Sequence, residues 1–193
     1  VLMGVGRVLL VDHDKVSESN LNRQVLFMEK DIGKPKVAVA KERLEELNPE
    51  TNIEVVQEKV YNDNIDNILR SYRIIVDCLD NWYSRKILDS YIWRKGKVLV
   101  HGAVNGFYGQ VTTIKKGITT CLSCLFPEPG KKEFIPAIGP AVTLVASIQV
   151  MEVAKIITNI GTPLYNRIAV VDSLEPSISV IGVKPLDCGL CSS

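Results

Sequence analysis

The chain has 193 residues, of which 46% are hydrophobic and 23% are charged, and its formal net charge is +1. This length and composition are typical of one globular domain with a substantial core, and the charge argues against nucleic acid or an anionic membrane as a partner. We therefore predict a single domain over residues 1–193.

The first half of the chain predicts strands that alternate with helices. Short β-branched runs indicate the strands, and apolar residues at helical spacing indicate the helices. In chain order the predicted elements are a strand at 7–12, a helix at 35–48, a strand at 51–56, a helix at 63–70, a strand at 73–77, a helix at 82–94 and a strand at 97–101. This alternation favours an α/β fold with a mostly parallel sheet and helices on both faces.

The pattern changes after Gly102, where strands follow one another directly. The predicted elements are strands at 109–115, 167–171 and 177–183 and one long helix at 140–158. We expect an antiparallel extension of the sheet with this helix packed on it. The apolar stretch around the helix is interrupted by proline, glycine and charged residues, so it predicts a buried helix and not a membrane span.

Two Cys-x-x-Cys pairs are the strongest motif: Cys121 with Cys124, and Cys188 with Cys191. Two such pairs supply the four sulfur ligands of a closed structural zinc site. A disulfide or a redox pair is the alternative. This use of cysteine is typical of a reducing compartment, which predicts a cytoplasmic protein. The fifth cysteine, Cys78, lies in an apolar run and is predicted to be buried.

Several polar residues are candidates for ligand binding, each with a structural alternative. Asp12 ends a strand, where an acid can accept hydrogen bonds from ribose hydroxyls or can form a turn. Arg23 lies in a polar loop that also contains Asn20, and its planar fork suits phosphate oxygens, although the loop alone favours a solvated arginine. Lys36 falls in the first turn of a helix, which suggests a nearby anion or simply a surface lysine.

The segment Asp77-Cys78-Leu79-Asp80-Asn81 follows a predicted central strand. Open α/β sheets bind ligands at the carboxyl ends of their strands, so Asp80 could hold Mg²⁺. Alternatively, Asp80 caps the helix that follows. His13 and His101 have no partners at metal-ligand spacing, and we interpret both as structural residues.

The order of these motifs resembles the ThiF/MoeB/HesA family, the prokaryotic relatives of ubiquitin-activating enzymes. The matching segments are VDHDKVSESNLNRQ, GKPK, VDCLDN, CLSC and DCGLC. The resemblance implies a Rossmann-like sheet that binds ATP and Mg²⁺. It also implies an adenylyltransferase that activates the C-terminal glycine of a ubiquitin-like sulfur-carrier protein ending in Gly-Gly, with release of pyrophosphate, and that forms a homodimer.

The resemblance also implies roles for individual residues. Asp12 corresponds to the ribose ligand, and Asp80 to the magnesium-associated acid, with Asn81 beside it. Asn20, Arg23 and Lys36 correspond to groups that hold the ATP phosphates and support the transition state. The paired cysteines correspond to a structural zinc site, so the expected cofactors are ATP, Mg²⁺ and Zn²⁺.

Two departures from the family pattern shape the expectations. The family's first strand and glycine-rich phosphate loop would precede Val1, so we expect an N-terminal segment that this sequence lacks. Between Cys124 and the long helix, the sequence FPEPGKKEFIPAIGP contains no cysteine, so we expect no thioester intermediate there. The alternative functions are an NAD(P)-dependent oxidoreductase and a non-catalytic adaptor that binds a ubiquitin-like protein.

Overall fold

The computed structural model describes residues 1–126, 137–184, 188 and 190–191. The chain divides into two compact units, Val1–Tyr61 and Asn62–Ser193. Each unit contains its own sheet, of two strands in the first unit and five strands in the second among the residues described. The single domain over residues 1–193 stays a prediction.

The first unit is a βαβ arrangement. Strand β1, Arg7–Val11, pairs in parallel with β2, Asn52–Val56, and helix α1, Lys36–Leu47, connects them. Two short 3-10 turns, Glu18–Asn20 and Glu29–Asp31, lie in the loop between β1 and α1. All three predicted elements are therefore confirmed, with boundaries within about one residue of the expectation, while the 3-10 turns were not predicted because they are too short to show a period.

The second unit has a mixed sheet in the order β3-β4-β5-β6-β7. Its strands are β3, Ile74–Asp77; β4, Val98–Asn105; β5, Tyr108–Lys115; β6, Arg167–Asp172; and β7, Ser177–Gly182. The β3–β4 pair is parallel, and every later pair is antiparallel. The predicted α/β fold with an antiparallel extension is confirmed.

The helices of the second unit differ in how well the sequence predicted them. They are α2, Ile65–Leu69; α3, Trp82–Lys95; α4, Leu122–Leu125; and α5, Gly139–Thr158. Gly96 caps the C-terminus of helix α3. Its φ of 63° lies in the left-handed region, which glycine adopts with little strain. Helix α4 was not predicted, because four residues are too few to establish a helical period.

Helix α5 packs one face against β4 and β5. A Cβ at Gly109 would lie 2.3 Å from Val145 Cγ2, and one at Gly102 would lie 2.5 Å from Gln149 Cδ, so both glycines permit this close approach. The opposite face carries exposed apolar residues, Leu144, Val150, Met151 and Ile157. Length and composition alone would allow α5 to cross a membrane. The prediction of a buried helix is correct for the sheet-facing side only.

Candidate functional site

In the first unit, the loop after β1 brings two aspartates close to Lys36, the first residue of α1. Lys36 Nζ lies 3.1 Å from Asp14 Oδ2 and 3.8 Å from Asp12 Oδ2. Asp12 Oδ1 also accepts a 2.8 Å hydrogen bond from the Asp14 N–H, so Asp12 forms a turn as well. Two carboxylates beside the ammonium offset its unfavourable position at the start of α1. The position of Lys36 therefore does not by itself require a bound anion.

His13 has acidic neighbours, contrary to the expectation that it has none at ligand distance. Its Nε2 lies 3.4 Å from Asp14 Oδ1, and one ligand atom from each of Asp12, His13 and Asp14 falls within 4.8 Å of the others. Adjacent residues in the loop bring these groups together. Exposed acidic groups are common without an ion, so this cluster gives no assignment.

Asn20 and Arg23 organise the loop that contains them. Asn20 is buried, and its Oδ1 accepts a 3.1 Å hydrogen bond from the Ser17 N–H. Arg23 Nη1 donates to the carbonyl oxygen of Ser19 at 2.7 Å and to Asn22 Oδ1 at 2.9 Å. These bonds shape the backbone of the loop. The guanidinium is held near the loop at one nitrogen, which is compatible with a second role toward an anion.

In the second unit, the loop after β3 presents Asp80 to solvent. Its Oδ1 accepts a 3.3 Å hydrogen bond from Asn81 Nδ2. The N-cap of α3 is Asn81, whose Oδ1 accepts a 2.8 Å hydrogen bond from the Ser84 N–H. The alternative that Asp80 caps this helix is therefore wrong. An exposed carboxylate at the carboxyl end of a parallel strand suits a hard cation such as Mg²⁺.

Cys78 is exposed, so the prediction that it lies in the core is wrong. The alternation of side chains along β3 explains the error, since Asp77 faces inward and the next residue faces outward. Although the residue presents surface to solvent, desolvation of the thiol, followed by the negative charge of Asp77, raises the pKa of Cys78 to about 11. The thiol form therefore predominates at neutral pH, which makes Cys78 a weak nucleophile.

A buried polar cluster lies beside this loop, and no sequence motif indicated it. Asp77 Oδ2 lies 2.6 Å from His101 Nδ1 and accepts a 3.1 Å hydrogen bond from Arg85 Nε. Asp77 and His101 are each 1% exposed. In the sequence, only the position of Asp77 at the end of a strand hinted at a role. Nothing indicated that Arg85 of α3 and His101 of β4 would contact its carboxylate.

The four paired cysteines form one cluster. Their Sγ atoms lie within 4.8 Å of one another, and the Cys121–Cys188, Cys124–Cys191 and Cys188–Cys191 pairs are 3.7 Å apart. Zn–S bonds of about 2.3 Å place the sulfurs of a tetrahedral site about 3.8 Å apart. None of these four cysteines forms a disulfide. The cluster is thus compatible with zinc and not with disulfides.

Neighbouring groups hold the first cysteine pair in place. Asp89 of α3 is buried and accepts hydrogen bonds from the N–H groups of Leu122 and Ser123, both at 2.9 Å. The Cys121 N–H donates to Cys191 Sγ at 3.2 Å. Burial raises the pKa of Cys121, while a hydrogen bond from the Cys124 thiol lowers the pKa of the more exposed Cys188 to about 7.

The fold is Rossmann-like α/β, with parallel strand pairs, an antiparallel extension and a four-cysteine cluster. More particularly, the chain belongs to the ThiF family, whose family model matches residues 1–191. The family predicted from the motifs is thereby confirmed.

Curated relatives agree with this assignment. The sulfur carrier protein adenylyltransferase of Thermus thermophilus is 36% identical over 95% of this chain and 72% of its own length. The heterocyst protein HesA of Trichormus variabilis is 35% identical over 88% of this chain and 64% of its own length. The SAMP-activating enzyme E1 of Haloferax volcanii is 32% identical over 98% of this chain and 72% of its own length. The name of the Thermus thermophilus relative confirms the predicted enzyme class, adenylyltransferase.

Solved structures confirm the fold. Escherichia coli MccB superimposes with a TM-score of 0.85 at 22% identity, covering 98% of this chain and 61% of that chain. PaaA gives a TM-score of 0.78 at 22% identity, covering 95% of this chain and 58% of that chain. The chain therefore spans about three fifths of the length of these proteins, and at this identity the likeness shows the fold alone.

Proposed function

We propose that this chain belongs to an enzyme that uses ATP to adenylate the C-terminal glycine of a ubiquitin-like sulfur-carrier protein, with release of pyrophosphate. The observation that carries the proposal is the 36% identity to a sulfur carrier protein adenylyltransferase over 95% of the chain. The similarity to an E1 enzyme that activates SAMP supports the same substrate class.

The chemistry needs no general base. The glycine carboxylate is already ionised at neutral pH, and one of its oxygens forms a bond to the α-phosphorus while the bond from that phosphorus to the bridging oxygen breaks. The electron pair leaves with pyrophosphate. The obstacle is the approach of an anion to a polyanion, so catalysis depends on positioning and on positive charge near the phosphates.

The proposed ATP ligands in the first unit are Asp12 for the ribose and Asn20, Arg23 and Lys36 for the phosphates. The donor chemistry of these residues supports the assignment, because a carboxylate accepts from hydroxyls and cationic or amide N–H groups donate to phosphate. Lys36 would exchange part of its contact with Asp14 at 3.1 Å for phosphate oxygens. Asp12 would keep the turn that positions it.

Asp80 is the proposed magnesium-associated acid, and Asn81 supports it. The exposed carboxylate of Asp80 provides the oxygen ligand that Mg²⁺ prefers. When bound, Mg²⁺ would neutralise charge on the phosphates. Asn81 uses its Oδ1 to cap α3 and donates from Nδ2 to Asp80, so we assign it the role of orienting that carboxylate.

We further propose that the cysteine cluster holds one structural zinc ion. The sulfur separations of 3.7 Å support this, and four thiolate ligands would leave no position for substrate or water. Cysteines used as zinc ligands also support a reducing, cytoplasmic location. The homodimer stays a prediction, which light scattering of the purified protein would test.

ATP–pyrophosphate exchange with purified full-length protein and candidate carriers tests the proposal. We expect exchange that requires both Mg²⁺ and the carrier, and that is lost with a carrier lacking its terminal glycine. An adaptor would bind the carrier without catalysing exchange, and an oxidoreductase would bind NAD(P) instead of ATP. Either result would overturn the proposal.

A further inference from the structure

The buried cluster of Asp77, Arg85 and His101 lies next to the loop that carries Asp80. The side chains of Asp77, Arg85 and His101 are 0%, 13% and 1% exposed. Burial of charged groups is costly, and an ion pair in a core adds little stability compared with apolar residues of the same volume. Stability alone therefore gives no reason for this cluster, and its geometry is more informative.

The cluster holds both backbone polar groups of Leu79, the residue directly before Asp80. Asp77 Oδ1 accepts a 2.8 Å hydrogen bond from the Leu79 N–H. Arg85 Nη2 donates to the carbonyl oxygen of Leu79 and also to that of Gly102 at 3.2 Å. Rotation of the peptide on either side of Leu79 would break one of these bonds. The backbone that leads into Asp80 is therefore fixed from two sides.

Four contacts fix the cluster itself. His101 Nδ1 lies 2.6 Å from Asp77 Oδ2, and its ring centroid lies 5.3 Å from that of Phe126. Gln149 of α5 donates from Nε2 to the backbone carbonyl oxygens of Asp77 at 2.9 Å and Val100 at 3.2 Å. Strands β3 and β4 and helices α3 and α5 thus all contribute to holding one loop.

Asp80 itself is free of this network. Its only hydrogen bond among the described residues is the 3.3 Å contact with Asn81 Nδ2. A rigid backbone with an exposed carboxylate is what a metal ligand requires, because a site held in its productive geometry does not have to be ordered when the ion binds. A turn without such a role would need no charged groups buried behind it.

We propose that Asp77 and Arg85 are positioning residues that hold Asp80 for a magnesium–nucleotide complex, and that His101 orients Asp77. This inference rests on the proposed function. Asp77 and Arg85 together form a clamp on the backbone of Leu79. Because they act through this backbone, their side chains do not touch the substrate. Misplacement of a reacting group by about 1 Å can cost about 10²-fold in rate, so loosening the clamp reduces turnover strongly.

The test uses Arg85→Lys, which keeps the charge but cannot bridge Asp77, Leu79 and Gly102 at once. We expect the Mg²⁺ concentration for half-maximal exchange to rise about tenfold or more and kcat to fall, with an unchanged KM for the carrier. His101→Leu should behave similarly, and His101→Asn, which keeps a donor for Asp77, should restore most of the activity.

Lys97→Met is the matched control. Lys97 is buried in the same unit and donates to the carbonyl oxygens of Leu69 and Arg70, both at 3.0 Å, away from the Asp80 loop. We expect it to lower the melting temperature without changing the Mg²⁺ dependence. An unchanged Mg²⁺ dependence in a folded Arg85→Lys protein, or an equal change in Lys97→Met, would overturn the clamp.

A readout other than activity separates this inference from the proposed function. Mn²⁺ bound in the presence of ATP can be counted by electron paramagnetic resonance. Wild-type protein that binds Mn²⁺ with ATP but supports no exchange would refute the proposed function, and the clamp would still be supported by weaker Mn²⁺ binding in Arg85→Lys. Equal Mn²⁺ binding by the two proteins would refute the clamp, and a wild type that neither binds nor exchanges would refute both.

Discussion

Adjacent side chains in the loop after β3 have different tasks. Asn81 caps α3 through the Ser84 N–H at 2.8 Å, whereas Asp80 is exposed and contacts only the Asn81 amide among the residues described. Loss of Asn81 should lower stability and, through the orientation of Asp80, also activity, whereas loss of Asp80 should lower activity alone. This division makes the pair a sharp test of the proposed magnesium ligand.

Asp80→Ala should reduce pyrophosphate exchange by about 10²–10³-fold, the usual effect of removing an electrostatic stabiliser of the transition state. Its melting temperature should stay near that of the wild type. Asn81→Ala is the counterpart and should cost about 1 kcal/mol of stability because it removes the helix cap. An active Asp80→Ala protein would refute the assignment of the acid.

Asp31 makes stability depend on pH. Burial opposes its ionisation, but hydrogen bonds from Lys34 and the Met28 N–H and the charge of Arg43 outweigh that effect and lower its pKa. A depressed folded-state pKa stabilises the protein above the unfolded value, and this contribution is lost as the pH falls through the folded value. The stability difference between wild type and Asp31→Asn should therefore be large near about pH 6 and shrink at about pH 3.

Urea unfolding of both proteins at the two pH values measures this difference. A difference between wild type and Asp31→Asn that is independent of pH would show that the carboxylate is not the source of the stabilisation.

At the scale of elements, the contact between α5 and the sheet depends on small residues. A Cβ at Gly109 would meet Val145 Cγ2 at 2.3 Å, and the branched valine cannot move away without repacking the core. The valine belongs to a cluster with Val100, Val111 and Val171. The short separation between helix and sheet therefore depends on glycine at position 109, as it does at position 102.

Gly109→Ala should destabilise the protein by about 1–3 kcal/mol, the usual cost of overpacking a core. Gly182→Ala should have little effect, because a Cβ there meets no atom within 4 Å. Chemical denaturation of the two variants beside wild type gives the comparison. Equal stabilities would contradict the close packing of α5.

At the scale of the whole molecule, the cysteine cluster joins distant parts of the chain. Cys121 and Cys124 precede and lie within α4, and their partners Cys188 and Cys191 follow about 67 residues later. A metal that binds this cluster closes a long loop, so its binding free energy contributes to folding.

Protein purified without chelator should contain about one equivalent of zinc by elemental analysis, and strong chelators should lower the melting temperature. Cys188→Ser should lose the metal, while Cys78→Ser should retain it because Cys78 lies outside the cluster. Zinc below about half an equivalent in wild type would refute the site. Wild-type protein incubated with ATP and the carrier should form no thiol-labile adduct. An adduct that is present in wild type and lost in Cys78→Ser would identify Cys78 as a nucleophile.

Much of this protein follows from its sequence alone. Short β-branched runs located β1 and β2, and apolar residues at helical spacing located α1, α3 and α5. The spacing of the cysteine pairs predicted their cluster, since two such pairs can turn their sulfurs toward one point. Elements as short as α4, which has four residues, are too short to show a repeat of apolar residues.

Only the tertiary structure decided which neighbours the polar residues meet. The register of β3 turned Cys78 outward and Asp77 inward. Asn81 and not Asp80 caps α3 because the backbone at the start of the helix directs its Oδ1 to the Ser84 N–H. Asp77 meets Arg85 and His101 from positions 8 and 24 residues away. Such contacts depend on how elements pack, and local sequence carries no record of that geometry.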